Sequence, residues 1–199
     1  MGEGRMGEAS DDDDDADVAR VVGGDLEAFE GIVRRWQRRL VGLAWRFCRD
    51  RAAAEDMAQE AFLKAFRSLR AYRGESAFST WLTAIALNTY RSRLRAEGPA
   101  LLAIDLLPAL AEEPGALRDL QERERTEAVR RAVLALPARY RDALVVYYFQ
   151  ERDLKEAAQI LGIAEGTLKA NLHRGREMLR CRCAEFAPRP GDPVPEGTR

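Results

Sequence analysis

Residues 153–180 read DLKEAAQILGIAEGTLKANLHRGREMLR, and this stretch decides the fold. It begins with one short apolar face at helical spacing, made of Leu154, Ala157, Ala158 and Leu161. Gly162 permits a tight turn, and Ile163 can fill the angle between two helices. A second helix then begins near Glu165, with Thr167 in its first turn. The stretch therefore predicts two helices that cross at a tight turn.

The second of these helices has a buried side and a cationic side. Its inward residues step by four, three and four positions and comprise Leu168, Leu172, Gly175 and Leu179. Its outward residues comprise Lys169, His173, Arg176 and Arg180, flanked by Asn171 and Arg174. This pattern is typical of a DNA-binding helix-turn-helix, whose second helix points base-reading side chains outward. A plain helical hairpin with a solvated basic face would show the same spacing, so the stretch alone favours DNA binding without requiring it.

Helical patterning also covers most of the chain upstream. An apolar stripe runs from Phe29 to Phe47, and a second helix is predicted over 53–70. The inward residues of that second helix are Met57, Ala61, Phe62, Ala65, Phe66 and Leu69. Further helices are predicted over 77–96, 119–135 and 138–150. Since no useful alternation of strand type appears, the prediction is an all-α fold.

The helix over 77–96 joins an apolar half to a cationic half. Residues 78–95 read FSTWLTAIALNTYRSRLR, with Trp81 in the apolar half, and the core-facing pattern gives way to Arg91, Arg93 and Arg95. Asn88, Arg91 and Arg95 are successively one turn apart, which places them on one face near the end of the helix. A core helix has no need of arginines at its end, so this helix is predicted to leave the core and meet a polyanion.

Net charge is distributed unevenly along the 199 residues. Residues 1–17 contain eight acids and one base, a net charge of −7, and the rest contains 31 bases and 25 acids, a net charge of +6. A basic body with an acidic tail is an asymmetry that indicates a polyanionic partner, although a solvated basic face would also account for it. Because aspartates in a run repel one another, residues 1–17 are predicted to be a disordered tail. One hypothesis is that this tail folds over the basic face and weakens DNA binding.

Composition shifts divide the chain into two small helical domains joined by a flexible linker. Residues 98–118 carry several prolines and glycines and read as that linker. The domains are then 18–97 and 119–184, and the Pro/Gly-rich residues 185–199 are predicted to be a disordered tail.

Several classes of protein are disfavoured. The three cysteines form no paired framework, and with the single His173 they match no usual zinc spacing, so no metal and no cofactor are predicted. The sequence contains neither a Cys/His dyad nor a P-loop that would indicate an enzyme. The acidic N-terminus is unlike a secretory signal and no apolar run could cross a bilayer, so we expect no membrane insertion and a cytoplasmic protein.

Two separate stretches resemble one family. The sequence LPARYRDALVVYYFQERDLKEAAQILGIAEGTLKANLHRGREML, from Leu136, resembles region four of bacterial sigma factors of the extracytoplasmic-function group. YRGESAFSTWLTAIALNTYRSRLR, from Tyr72, resembles the promoter-melting part of region two in the same group. AEDMAQEAFLKAF, from Ala54, resembles the helix by which those proteins dock on RNA polymerase. Their order along the chain, on either side of the linker, is that of the family.

The resemblance implies an alternative sigma factor that binds core RNA polymerase and both promoter elements and helps to open the duplex. It implies polymerase-binding residues at Asp56, Gln59, Glu60 and Leu63. It implies contacts with the minus-ten element, as duplex and as melted strand, from Asn88, Arg91, Arg93 and Arg95. It implies contacts with the minus-thirty-five element from Lys169, Ala170, Asn171, His173, Arg174 and Arg176. An anti-sigma factor is a further partner that the family implies.

Two other functions remain as alternatives. A stand-alone helix-turn-helix regulator would bind duplex DNA without polymerase, and would dimerise on paired half-sites. An adaptor that binds only proteins would leave both basic faces solvated.

Overall fold

The computed structural model describes residues 11–48, 50–97, 128–129, 131–149 and 153–183. The first domain contains helices α1 (Asp11–Val22), α2 (Ala28–Cys48), α3 (Arg51–Ser68) and α4 (Phe78–Glu97), with a 3₁₀ turn at Leu69–Ala71. The second contains α5 (Ala138–Phe149), α6 (Leu154–Leu161) and α7 (Glu165–Arg182). Residues 128–129 and 131–134 are also helical. The prediction of an all-α fold is confirmed. The predicted linker and C-terminal tail lie outside the described residues, as does most of the helix predicted over 119–135.

Helix α1 is where the structure differs from the predicted disordered tail. The Asp14 carboxylate is fully buried and accepts hydrogen bonds from Trp36 Nε1 at 2.9 and 3.1 Å and from Arg35 Nε at 2.9 Å. Asp17 accepts a further bond from Arg35 Nη2 at 2.7 Å. Acidic residues at the first turns of a helix also interact favourably with its dipole. The acidic run thus contributes a helix to the first domain, and Asp14 and Asp17 are engaged with α2 instead of covering a DNA-binding face.

The first domain is a bundle in which α2, α3 and α4 bury a common core. Its largest buried side chains are Ile32, Trp36, Leu43, Phe47, Met57, Leu69, Phe78, Leu82, Leu87 and Tyr90. The Tyr90 hydroxyl donates a hydrogen bond to the Leu40 carbonyl at 3.1 Å, and burial raises the pKa of Tyr90 far above its ordinary value. Asp50 caps α3 by accepting a 2.6 Å bond from the Ala53 amide. Trp81 is half-buried and stacks on Tyr72 and Phe78, as expected for a residue of the domain's own core.

In the described part of the second domain, α5, α6 and α7 pack around a small core. Asp153 caps α6 by accepting a 2.7 Å bond from the Glu156 amide. Gly162 ends α6 in the left-handed conformation, at φ 65°, where a side chain would be strained. This turn is what directs α7 across α5, and the predicted helix-turn-helix is present.

The two domains pack against each other through α4 and α6. Across this contact, the guanidinium of Arg141 lies 5.6 Å from the ring centre of Phe47, within the range of a cation–π interaction. Arg91 of α4 also forms an ion pair with Asp142 of α5. Both domains therefore contribute side chains to a single interface.

Candidate nucleic-acid interface

Helix α7 presents the predicted minus-thirty-five residues at the surface. Leu168, Leu172 and Gly175 are buried against the second domain, as the stepping pattern predicted. The outward side chains Lys169, Ala170, His173, Arg174 and Arg176 are exposed, and Asn171 is partly buried. An exposed row of cationic and amide side chains on a helix anchored from behind is suited to a DNA groove.

The crossing of α5 and α7 is unusually close at one residue. A Cβ added to Gly175 would lie 3.0 Å from Leu144 Cδ1 and 3.4 Å from Tyr140 Cβ. Glycine therefore allows the two helix backbones to approach where a larger residue would force them apart. This contact sets the distance between α5 and α7.

The cationic residues of α7 differ in their surroundings. The Arg176 guanidinium lies 5.5 Å from the ring centre of Tyr148. The Arg174 guanidinium, together with that of Arg139, lowers the pKa of the Tyr140 phenol. His173 Nδ1 lies 3.6 Å from a carboxylate oxygen of Glu177, and both side chains are largely exposed.

Helix α4 carries the predicted minus-ten residues, and the structure places them in two groups. Asn88, Arg91 and Arg95 lie on one face, as predicted: Arg91 Nη1 is 3.5 Å from Asn88 Oδ1, and Arg95 Nε donates to the Arg91 carbonyl at 3.2 Å. Arg93 points elsewhere and lies 3.7 Å from the Asp56 carboxylate. The four residues are thus on one helix but do not form one patch.

A pocket of about 660 Å³ lies between the two domains. Asn88, Arg91 and Arg95, the predicted minus-ten residues, line it together with Asn171 of α7. Leu94, Leu161 and Ile163 supply its apolar wall. The structure thus brings residues predicted to contact two different promoter elements to one place.

Asp142 is the residue of this interface that the sequence did not reveal. Its carboxylate is buried and accepts a 2.7 Å bond from Arg91 Nε, with a weaker 3.3 Å contact to Arg141 Nε. Asp142 is the only acid in α5, where it lies between Arg141 and an apolar run. The sequence gives no means of finding its partner in the other domain.

The predicted polymerase-binding residues share one face of α3. The four residues follow one another at steps of three, one and three positions, so their side chains point the same way; they are Asp56, Gln59, Glu60 and Leu63. Leu63 is 56% exposed, and Glu60 pairs with Lys64 at 2.7 Å. Phe66, predicted to point inward, is 37% exposed with its ring 5.0 Å from that of Phe29, so it extends this face with apolar surface. The prediction for Phe66 was wrong because helical spacing alone does not show where a packed face ends.

Two negative findings apply to the described part of the chain. No group of three or more potential metal ligands comes together there. None of its helices combines the length and apolar character that crossing a bilayer requires.

Comparisons with known proteins identify the family. Residues 32–99 match the family model of sigma-70 region 2, and residues 126–179 match that of sigma-70 region 4. The chain is 36% identical over 172 residues to the RNA polymerase sigma-H factor of Pseudomonas aeruginosa, covering 81% of this chain and 89% of that protein. It is 33% identical over 181 residues to the ECF RNA polymerase sigma factor SigW of Bacillus subtilis, covering 82% and 92%. The chain belongs to the sigma-70 family. Within that family it is an extracytoplasmic-function sigma factor.

Solved structures support the same fold. The structure of CnrH in complex with the cytosolic domain of CnrY matches with a TM-score of 0.66 at 21% identity, covering 88% of this chain and 99% of that one. The sigma factor RpoE of Bartonella quintana, in complex with the anti-sigma factor NepR, matches with a TM-score of 0.58 at 23% identity, covering 78% and 96%. At these identities the likeness concerns the fold alone.

Proposed function

We propose that this sigma factor binds core RNA polymerase, directs it to promoters by reading a minus-ten and a minus-thirty-five element, and assists opening of the duplex. The recognition helix is the observation that carries the proposal. Its base-facing side chains are exposed, whereas its opposite side is buried in the domain. The protein acts in the cytoplasm, by binding rather than by bond chemistry.

The second domain would read the minus-thirty-five element. Lys169 and Arg176 suit guanine edges, and Asn171 suits adenine when it reaches a base edge. Arg174 would contact the phosphate backbone, which fixes register without reading sequence. Removing a base contact should relax preference at one position, and removing a phosphate contact should weaken binding to all sequences equally.

The first domain would read and hold the minus-ten element. Asn88 and Arg91 would contact the upstream duplex bases, and Arg93 and Arg95 would hold phosphates. Their phosphate contribution should fall steeply with salt because binding releases counterions. For Arg91 to reach DNA, its ion pair with Asp142 must open, so the domains have to separate in the promoter complex.

The α3 face would dock on the polymerase. An exposed Leu63 and Phe66 beside the polar Asp56, Gln59 and Glu60 offer an apolar centre with a rim of acceptors. Such a face is complementary to a partner surface that is both apolar and basic. An anti-sigma factor is a further proposed partner, because RpoE of Bartonella quintana was solved with one.

Gel filtration with bacterial core polymerase, followed by transcription from a promoter library, tests the proposal. We expect co-elution and new specific start sites. Leu63→Ala should weaken co-elution, whereas Arg176→Ala should leave co-elution intact and change promoter choice. Asp15→Asn, at an exposed carboxylate of α1, is the matched control.

The opposite results would identify one of the alternatives. Tight binding to duplex DNA with no polymerase complex would indicate a stand-alone regulator. Absence of DNA binding by the protein, alone or with polymerase, would leave only a protein-binding adaptor, whereas loss of DNA binding in Arg176→Ala or Asn88→Ala would exclude that adaptor.

A further inference from the structure

Three side chains of α5 form a single ridge against the recognition helix. Tyr140, Leu144 and Tyr148 are spaced by four residues, and side chains at that spacing line up along one side of a helix. The middle residue, Leu144, lies where a Cβ on Gly175 would come within 3.0 Å. The ridge is therefore centred on the closest approach of the two helices.

Arg176 lies beside this crossing. It is the chain neighbour of Gly175 and is rotated by about 100° from it around the helix, so its side chain leaves α7 at the flank of the contact. Tyr148 forms the end of the ridge that meets this arginine.

Tyr148 and Arg176 make the contact at the outer end. The guanidinium carbon lies 5.5 Å from the ring centre, and Tyr148 is 51% exposed. The Tyr147 ring meets Tyr148 edge-on, with their centres 5.2 Å apart, which limits how the Tyr148 ring can turn. A cation–π contact attracts the guanidinium through its charge and does not require its N–H groups to pair with an acceptor. Arg176 is thus held beside Tyr148 by a contact that is compatible with donation to a guanine edge.

We propose that the ridge of α5 positions a DNA-contacting arginine of α7, with Tyr148 aligning Arg176 for base reading. This assignment rests on the proposed function, since it requires Arg176 to read a base. Tyr148 does not need to touch DNA itself. Promoter preference would thus depend on a helix outside the recognition helix.

The test uses the full-length protein with core polymerase on a library that randomises the minus-thirty-five element. Relative transcription is measured for each base at each position with the wild type, Tyr148→Leu, Tyr148→Phe, Arg176→Ala and the double variant Tyr148→Leu/Arg176→Ala. Tyr148→Phe keeps the stacking face and is the matched control. Because Tyr148 is half exposed, both substitutions should leave the domain folded, which circular dichroism checks.

The expected result has a specific pattern. Arg176→Ala should reduce preference at one position by about tenfold, the range of a lost bidentate base contact. Tyr148→Leu should reduce preference at that same position by about 2- to 5-fold, the range of one cation–π contact. Tyr148→Phe should retain the preference, and the double variant should be no worse than Arg176→Ala alone.

Two kinds of result would overturn the inference, and they are distinguishable. If Arg176→Ala changes one position while Tyr148→Leu changes none, or lowers transcription from all sequences equally, Tyr148 does not position Arg176. If Arg176→Ala itself changes no position, the base-reading role in the proposed function fails and the positioning role fails with it.

Discussion

Replacing Asp14 with alanine is the most direct test of helix α1. The wild-type carboxylate is fully buried and accepts from two side chains of α2, the Trp36 indole and the Arg35 guanidinium, at about 3 Å each. Alanine would leave the buried indole N–H without this acceptor. The Arg35 guanidinium would keep its hydrogen bond to the Asp17 carboxylate, at 2.7 Å.

The magnitude follows from these contacts. Breaking a fully buried ion pair costs about 3–5 kcal/mol because the remaining charge is left uncompensated. The Arg35 side chain is 24% exposed and keeps its ion pair with Asp17, so the destabilisation from losing the Arg35–Asp14 pair should fall below that range. An unsatisfied buried N–H on Trp36 adds about 1–3 kcal/mol. Taken together, we expect Asp14→Ala to lower the free energy of unfolding by about 3 kcal/mol.

Urea denaturation followed by tryptophan fluorescence measures this change. Asp15→Asn is the matched control, because Asp15 is the next residue and is exposed, so its substitution should change stability by no more than about 0.5 kcal/mol. Deleting residues 1–17 should destabilise the protein at least as much as Asp14→Ala. An Asp14→Ala protein as stable as the control would refute the reasoning, because the acidic residues would then contribute nothing to the stability of the first domain.

Three further predictions concern other parts of the molecule. Asp142→Asn should tighten binding of the free protein to a fluorescent minus-ten DNA by about tenfold, because it removes one charge-assisted hydrogen bond that holds Arg91. If the gain in affinity persists when Arg91→Ala is added, this explanation is wrong. Gly175→Ala gains about 1 kcal/mol of helix propensity but loses about 1–3 kcal/mol by crowding Leu144, so thermal melting should show unchanged or lower stability. A clear stabilisation would mean that α5 and α7 are not tightly packed at this crossing. Burial raises the pKa of the Cys48 thiol, so at pH 8 it should react with a disulfide reagent far more slowly than Cys181 and Cys183 at the end of α7. Equal reaction rates for all three thiols would contradict the packing of α2.

Much of this fold could be predicted because its signals are local. The helices predicted over 53–70 and 77–96 are observed at Arg51–Ser68 and Phe78–Glu97, since apolar spacing and capping residues lie within each segment. The buried and exposed sides of α7 also follow directly from its stepping pattern. A helix-turn-helix needs only short-range information to be recognised, and its tight turn is marked by one glycine.

The parts that sequence reasoning missed depend on partners far along the chain. A run of aspartates predicts repulsion, but a partner 21 residues away, Arg35, converts Asp14 into a buried acceptor. The pairing of Arg91 with Asp142 spans 51 residues and two domains. Periodicity shows which side of a helix is apolar, and it cannot show which charged residue another element brings to it.

The ion pair between Arg91 and Asp142 has a thermodynamic consequence for the whole protein. If Arg91 contacts the minus-ten element as predicted, its pairing with Asp142 would reduce the affinity of the free protein for a promoter in proportion to the fraction of molecules in which the pair is open. Linkage would make the effect reciprocal: a partner that separates the domains would strengthen promoter binding, and the promoter would strengthen binding of that partner by the same factor. Each tenfold excess of the closed form corresponds to about 1.4 kcal/mol that a separating partner would return. Such a contact would keep the free protein from occupying the many competing sites of a genome and would reserve its affinity for the assembled transcription complex.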